Sequence, residues 1–229
     1  MPLYLLENFN TPVPSLFSLA GKIAIVTGGS RGIGLQVVIA LAEAGADVAF
    51  VYHSSTEAEA ISAAVVEKTG RRVGAYKSDV TDQAIIAHTI NHIVETLGRG
   101  RLDIMVANAV NYDGVMWTAI PAGKVFKQQG RGNLIITASI SSGLVNVPQA
   151  QAAFNASKAG WADFARVNCV SPGYVHTEII TKQSPELIKK WLSMIAGGQT
   201  CQPPKLKGLY TFLTSDASSY MTGSNMIIN

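Results

Sequence analysis

The side chains at positions 154 and 158 raise the first chemical question of this sequence. Lys158 follows the aromatic Phe154 by four residues in the stretch FNASKAGW. Residues four apart lie on one face of a helix, so the ring and the ammonium group would be neighbours there. A tyrosine at the aromatic position would form an acid–base pair with the lysine, whereas Phe154 has no proton to give. The sequence therefore predicts half of a catalytic pair.

A second chemical feature is the glycine-rich stretch TGGSRGIG, which starts at Thr27, where the apolar run KIAIVTG ends. Gly28, Gly32 and Gly34 allow a tight turn, and the helix that begins there supplies N–H donors and a favourable dipole for a pyrophosphate. The spacing is G-x-x-x-G-x-G rather than G-x-G-x-x-G. Because it follows the first strand of an alternating α/β pattern, the turn predicts a dinucleotide site. The alternative is a tight turn with no ligand.

The residues after the second predicted strand indicate which dinucleotide is bound. A carboxylate there would bind the ribose hydroxyls of NAD, but residues 52–55 are YHSS, and Asp47 lies at the opposite end of the strand. Arg31 in the glycine turn and the hydroxyls of Ser54 and Ser55 suit a 2′-phosphate. The sequence therefore predicts NADP(H) rather than NAD(H). The alternative for Arg31 is a solvated loop arginine.

The scaffold that positions these groups is predicted from strands and helical patterns that alternate after Lys22. Such alternation is typical of a parallel sheet covered on both faces, with right-handed crossovers. The prediction is an α/β fold, a Rossmann-like doubly wound parallel sheet in three α/β/α layers. It forms a single dinucleotide-binding domain over residues 1–229, with an N-terminal arm at 1–20. The predicted strands are KIAIVTG, DVAFVYH, RVGAYKSD, LDIMVANA, NLIITAS, ARVNCVS and NMII, and helices are predicted after the glycine turn, from about Thr56 to Lys68, and around Ile86 to Leu97.

Composition argues against several classes of protein. The 229 residues are 48% hydrophobic and 14% charged, enough apolar material for a substantial core. The net charge of +3 comes without runs of like charge, so neither a nucleic acid nor a membrane is an expected partner. Cys169 and Cys201 are predicted to be free thiols, and His88 and His92 lack a third ligand, so no metal site is predicted. The N-terminal segment matches neither a signal peptide nor a membrane span, so the chain is expected to be cytoplasmic.

The order of short motifs along the chain resembles that of the short-chain dehydrogenase/reductase family, and especially its fungal branch of NADP-dependent mannitol dehydrogenases and sorbose reductases. The motifs are TGGSRGIG, SDVTD, ANA, ITAS, ASK and SPGYVHTE, and the resemblance runs from about Leu16 to Asn229. In that family a serine orients the substrate carbonyl and a tyrosine transfers the proton. A lysine lowers the pKa of that tyrosine and holds the nicotinamide ribose, and an asparagine supports a water relay. The resemblance implies hydride transfer between NADP(H) and a small ketone or secondary alcohol, which is a sugar, a polyol or a secondary metabolite.

The resemblance assigns these roles residue by residue. Ser139 is the substrate-orienting serine, with Ser141 as the alternative. Residues 178–202 are expected to form a mobile lid over the substrate. The catalytic positions implied are Ser139, Lys158, Asn111 and Phe154, the last in place of the tyrosine. The cofactor-binding positions implied are Gly28, Ser30, Arg31, Gly32, Ile33, Gly34, Ser54, Asp79, Val80, Asn108, Lys158, Val175 and Thr177, with Pro172 and Gly173 in the segment that contacts the nicotinamide end.

The chain departs from the family's pattern at three places. Phe154 replaces the tyrosine, roughly twenty residues are absent after Ala109, and about three helical turns are absent after Gly160. The two gaps shorten helices that commonly build a four-helix dimer interface, which puts the homo-oligomer usual for the family in doubt. Two functional hypotheses follow: an NADP(H)-dependent oxidoreductase impaired by Phe154, and a catalytically inactive NADP(H)-binding pseudoenzyme. The gaps and the lost tyrosine together also fit a decayed copy or a mis-spliced gene model.

Overall fold

A seven-stranded sheet in the order β3-β2-β1-β4-β5-β6-β7 forms the centre of the computed structural model. The structure describes residues 11–109, 112–139, 165–195 and 197–228. All six strand pairings are parallel. The chain order reverses between β1 and β4, which opens a crevice at the carboxyl ends of these two strands. The strands are β1 (Ile23–Thr27), β2 (Asp47–Tyr52), β3 (Val73–Lys77), β4 (Ile104–Ala107), β5 (Asn133–Thr137), β6 (Arg166–Pro172) and β7 (Asn225–Ile228).

Helices connect the strands and cover both faces of the sheet. They are α1 (Val13–Leu16), α2 (Gly32–Glu43), α3 (Ala58–Thr69), α4 (Gln83–Thr96), α5 (Tyr112–Gln129), α6 (Glu178–Thr181), α7 (Pro185–Met194) and α8 (Lys207–Thr214), with 3₁₀ turns at Pro203–Leu206 and Asp216–Ser218. The predicted doubly wound α/β fold is confirmed. No helix in the described part of the chain has the length and apolar character needed to cross a membrane.

Neighbouring residues of β1 enter two different hydrophobic cores. Val26 belongs to the cluster that contains Leu41 of α2, whereas Ile25 belongs to the cluster that contains Ile86 and Ile90 of α4. Each is 1% exposed or less. Burying one such side chain stabilises the fold by about 1.5–3 kcal/mol. Because both faces of the central strands are covered, those strands read as unbroken apolar runs in the sequence.

Helix α5 was not predicted from periodicity. It contains Pro121, which cannot donate a backbone hydrogen bond and obscures the helical pattern. Its buried side chains nevertheless recur at helical spacing, with Ala119, Ala122 and Phe126 all in the core. Helix α5 forms the crossover between β4 and β5. Despite the gap predicted after Ala109, it has 18 residues.

The predicted N-terminal arm ends in a buried anchor. Leu19 is fully buried, and its N–H donates to the carbonyl of Ala44 over 2.8 Å. The ring of Phe17 lies 6.3 Å from that of Phe212 in α8. The last residues of the predicted arm, around Phe17 and Leu19, therefore pack against the rest of the protein.

Candidate active site

The glycine turn seats the start of α2 directly against the end of β1. Gly28 and Gly32 have φ angles of +67° and +57°, which favour glycine. The N–H groups of Gly28 and Gly29 both donate to the carbonyl of Val51 in β2. A Cβ at Gly34 would lie 2.1 Å from the carbonyl oxygen of Gly28, so no side chain fits there. The first N–H groups of α2 have no partner within the helix and suit an anion.

A hydrogen-bond network joins β1 and β4 on the floor of the crevice. The Thr27 hydroxyl accepts from the backbone N–H groups of Asn108 and Ala109 at 3.0 and 3.1 Å. Nδ2 of Asn108 donates to the carbonyl of Thr27 over 3.0 Å. Asn108 therefore braces the two central strands, and its contact with a cofactor stays a prediction.

A cavity of about 320 Å³ opens at the carboxyl ends of β1 to β4 on the side of the predicted adenine. Thr81 donates from its hydroxyl and its backbone N–H to Oδ1 of Asp79, at 2.7 and 2.8 Å. These bonds, with the nearby His53, hold the pKa of the Asp79 carboxyl below its usual value. Val80 packs against the core beneath the cavity. The lining residues are Gly28, Val51, Tyr52, His53, Ser78, Asp79, Val80, Thr81 and Ala109.

The carboxylate in β2, that of Asp47, lies at the amino end of the strand, away from the carboxyl end where a ribose would bind. Asp47 begins β2 and forms ion pairs with Arg71 and Arg72 at 2.9 and 2.8 Å. Burial alone would raise the pKa of Asp47, but the hydrogen bonds and charges of the two arginines outweigh burial and lower the pKa. Asp47 is therefore a structural residue. At the other end of β2, Ser54 is exposed.

The segment after β6 returns to the glycine turn. Val175 is buried and bridges to Cys201, and Thr177 lies beside the turn, with its Cγ2 3.4 Å from where a Cβ on Gly32 would be. The next residue, Glu178, accepts from Nη1 of Arg31 over 2.9 Å. Arg31 therefore pairs with the first residue of the predicted lid, and its contact with a 2′-phosphate stays a prediction.

The predicted lid contains two helices, and an aromatic stack holds the second of them, α7. Helix α7 begins after Ser184, whose hydroxyl accepts from the N–H of Leu187 over 3.3 Å. The ring of Trp191 in α7 stacks on Tyr174, with centroids 4.7 Å apart. β6 ends at Pro172, two residues before Tyr174, so the stack connects the predicted lid to the end of β6.

The residue predicted to orient the substrate, Ser139, lies just after β5. Ser139 follows that strand by two residues and is exposed. Two residues earlier, Oγ1 of Thr137 lies 2.7 Å from the hydroxyl of Tyr210. Burial raises the pKa of Tyr210 well above its usual value, although the hydrogen bond to Thr137 acts in the opposite direction. Tyr210 therefore stays neutral and braces the strand that carries Ser139.

The remaining predicted catalytic residues lie outside the described residues. They are Asn111, Phe154 and Lys158, together with the alternative serine Ser141. Within the described ranges no three His, Cys, Asp or Glu side chains come together as a metal site, and His88 and His92 are both exposed.

Sequence reasoning missed three residues that the structure places at the site. Thr27 carried a signal, because it is a hydroxyl at the point where the first strand meets the glycine turn. Tyr210 and Glu178 carried none, since their partners Thr137 and Arg31 lie 73 and 147 positions away.

The sequence matches known protein families and curated relatives over most of its length. A pattern described as short chain dehydrogenase matches residues 22–110, and one described as Enoyl-(Acyl carrier protein) reductase matches residues 107–229. Sorbose reductase sou1 of Schizosaccharomyces pombe is 38% identical over 248 positions, which cover 94% of this chain and 97% of that protein. An NADP-dependent mannitol dehydrogenase of Hypocrea jecorina is 37% identical over 262 positions, covering 95% and 97%.

Solved structures show the same architecture. The NADPH-dependent 3-quinuclidinone reductase of Rhodotorula rubra superposes with a TM-score of 0.82 at 33% identity, covering 96% of this chain and 94% of that one. A short-chain type dehydrogenase/reductase of Mycobacterium marinum gives a TM-score of 0.83 at 33% identity, covering 95% and 98%. The chain belongs to the short-chain dehydrogenase/reductase family of oxidoreductases, as its motif order indicated.

The alignments also bear on the two gaps. Those with the two fungal relatives run over 248 and 262 positions, whereas this chain has 229 residues. Both relatives therefore contain residues that have no counterpart here. That these residues are missing after Ala109 and Gly160 stays a prediction.

Proposed function

We propose that this chain is an NADP(H)-dependent oxidoreductase that interconverts a ketone and a secondary alcohol in a sugar or polyol. The observation that carries the proposal is the glycine turn, in which Gly34 packs against Gly28 and Asn108 too closely for any side chain. Such packing brings a helix N-terminus to the crevice between β1 and β4, where the backbone can approach a pyrophosphate. Relatives named sorbose reductase and NADP-dependent mannitol dehydrogenase support the substrate class and the cofactor.

The described residues fit NADP(H) along the length of the crevice. Asp79 and Val80 line the cavity on the adenine side, and Arg31 and Ser54 offer a guanidinium and a hydroxyl for the 2′-phosphate. Asn108 holds the floor through Thr27. No carboxylate stands at positions 52–55 to repel that phosphate. Ser30, Gly32, Ile33, Val175 and Thr177 complete the set of proposed cofactor contacts.

The substrate end of the site is proposed from the sequence. When bound, NADPH supplies the hydride. Ser139 orients the substrate carbonyl and Lys158 holds the nicotinamide ribose, while Lys158 and Asn111 support delivery of a proton from water to the carbonyl oxygen. Phe154 has no proton to give.

Phe154 supports a second candidate function, which is binding of NADP(H) without turnover. General acid–base catalysis contributes about 10² to 10⁴ in rate, equivalent to about 3–5 kcal/mol. Removing the tyrosine hydroxyl takes away that contribution, while the described cofactor crevice does not depend on it. A pseudoenzyme of this kind would keep its cofactor affinity.

The first test is a thermal shift of the purified chain with NADPH and, separately, with NADH. Ligand at about 100 times its dissociation constant stabilises a fold by about 2.7 kcal/mol. We expect stabilisation by NADPH at concentrations where NADH gives little. A chain that melts identically with and without both nucleotides contradicts the proposed function.

A second measurement separates the enzyme from the pseudoenzyme. Phe154→Tyr is expected to raise turnover of sorbose with NADPH by about 10² to 10⁴. Phe17→Tyr, which adds a hydroxyl in the N-terminal segment away from the crevice, is the matched control and should change nothing. If the parent chain binds NADPH but turns over no ketose or polyol, binding without turnover is its function, and activity gained by Phe154→Tyr would trace the loss to the missing hydroxyl.

A further inference from the structure

An exposed ion pair joins the glycine turn to the lid. Nη1 of Arg31 donates to Oε2 of Glu178 over 2.9 Å, although the two residues lie 147 positions apart in the sequence. Arg31 directly precedes α2, and Glu178 is the first residue of α6. The adjacent residues Gly32 and Thr177 also approach each other. The segment after β6 is thus fastened to the wall of the crevice that suits a phosphate.

Glu178 leaves most of the Arg31 guanidinium available. Arginine has five N–H donors in a planar fork, and Glu178 is the hydrogen-bond partner that the structure gives it among the described residues. Lys182, the residue that follows α6, approaches the same Glu178 oxygen at 3.4 Å. Arg31 and Glu178 are 74% and 57% exposed, so the pair by itself contributes little to stability.

We propose that Glu178 is a positioning residue that presents Arg31 to the 2′-phosphate of NADP(H) and ties the lid to the bound cofactor. The part of the predicted lid concerned is residues 178–195, which include α6 and α7. The inference rests on the proposed binding of NADP(H). An arginine already held by a carboxylate loses less side-chain freedom when it binds a phosphate than a free one does. Its fork then contacts the phosphate with some donors and α6 with another.

The opposite role for Glu178 is competition with the phosphate. In that case the carboxylate would occupy Arg31 and repel the incoming negative charge. The two roles predict changes of opposite sign, because neutralising Glu178 weakens NADPH binding if it positions Arg31 and strengthens binding if it competes.

The test measures equilibrium binding of NADPH and NADH to Glu178→Gln by nucleotide fluorescence. We expect the dissociation constant for NADPH to rise by about two- to fivefold, the range of an exposed charge pair. The constant for NADH, which lacks the 2′-phosphate, should change less. The matched control is Lys182→Gln, which removes the positive charge of Lys182 beside the same carboxylate but leaves the contact between Glu178 and Arg31. The NADPH affinity of this control should equal that of the parent chain.

Two further measurements exclude a merely structural role. In an Arg31→Gln background, adding Glu178→Gln should cause no further loss of NADPH affinity, because the partner is already gone. Hydrogen exchange of the amides in residues 178–195 should slow when NADPH binds to the parent chain, and should not slow in Glu178→Gln.

The outcomes separate this inference from the proposed function. If the parent chain binds no NADPH, both are wrong. If the parent binds NADPH while Glu178→Gln binds it equally or more tightly, the positioning role alone is overturned. Equal losses in the single Glu178→Gln variant and in the Arg31→Gln background also overturn it, since they place the effect outside the pair.

Discussion

Replacing Gly34 by alanine is expected to displace α2 and to abolish binding of NADP(H). A Cβ at this position would lie 2.1 Å from the carbonyl oxygen of Gly28 and 2.6 Å from Nδ2 of Asn108. Because the closer neighbour is backbone, the helix must move away from β1 by about 1 Å, and overpacking of this kind costs about 1–3 kcal/mol. Alanine gains about 0.5–1 kcal/mol over glycine inside a helix, so the net result is destabilisation by up to about 2.5 kcal/mol.

The same displacement affects the ligand more than the fold. The start of α2 must lie against the end of β1 for its N–H groups to reach a pyrophosphate, and a shift of about 1 Å removes good hydrogen-bond geometry. The parent chain is expected to gain about 2.7 kcal/mol from NADPH at about 100 times its dissociation constant. Gly34→Ala is expected to gain nothing at that concentration.

Urea unfolding followed by circular dichroism, with and without NADPH, measures both effects. The matched control is Gly208→Ala in α8, where an added Cβ meets nothing within 4 Å. This control should gain about 0.5–1 kcal/mol and keep the full response to NADPH. A Gly34→Ala variant with the parent's stability and the parent's response to NADPH would refute the packing argument.

Three further predictions concern buried polar groups. Thr27→Val removes the acceptor of two backbone N–H groups and is expected to cost about 1–3 kcal/mol in urea unfolding, whereas Thr27→Ser keeps the hydroxyl and should cost less. Tyr210→Phe leaves the Thr137 hydroxyl without its partner and should cost about 0.5–1.5 kcal/mol by the same measurement; no loss would mean that this bond is not formed in solution. Asp47 has a lowered pKa in the folded state, so its contribution is complete above its unfolded pKa of 3.8 and is lost as the pH falls through the lower folded value. The free energy of unfolding should therefore fall on acidification below about pH 4, and less steeply in Asp47→Asn, with equal slopes arguing against the ion pairs.

The strands were predictable because burial on both faces leaves an unbroken apolar run. β2, β5 and β7 begin at the predicted residues, and the remaining strand ends lie within one or two residues of the prediction. The glycine turn was also predictable, since a position with no room for a Cβ has to be glycine. Helix α5 was missed because Pro121 interrupts a pattern that Ala119, Ala122 and Phe126 otherwise carry.

The contacts that complete the site could not be read from the sequence. Arg31 and Glu178 are each ordinary surface charges in their own segments, and nothing in local spacing pairs residues 147 positions apart. The brace between Thr27 and Asn108 spans 81 positions. The contact between Thr27 and Asn108 depends on strand order, because β4 is placed beside β1 rather than beside β3, the strand that precedes it in the sequence.

The position of β1 in the sheet also has a consequence for synthesis of the chain. β1 pairs with β2 soon after both emerge, but its other edge waits for β4, and the N–H of Ile23 bonds to Asp103, which lies 80 residues later. At about 5–20 residues per second, the ribosome leaves that edge unpaired for about 4–16 s. An open strand edge invites pairing with other chains. Slower translation between the glycine turn and β4 should therefore lower the yield of folded protein, while pauses after β4 should matter less.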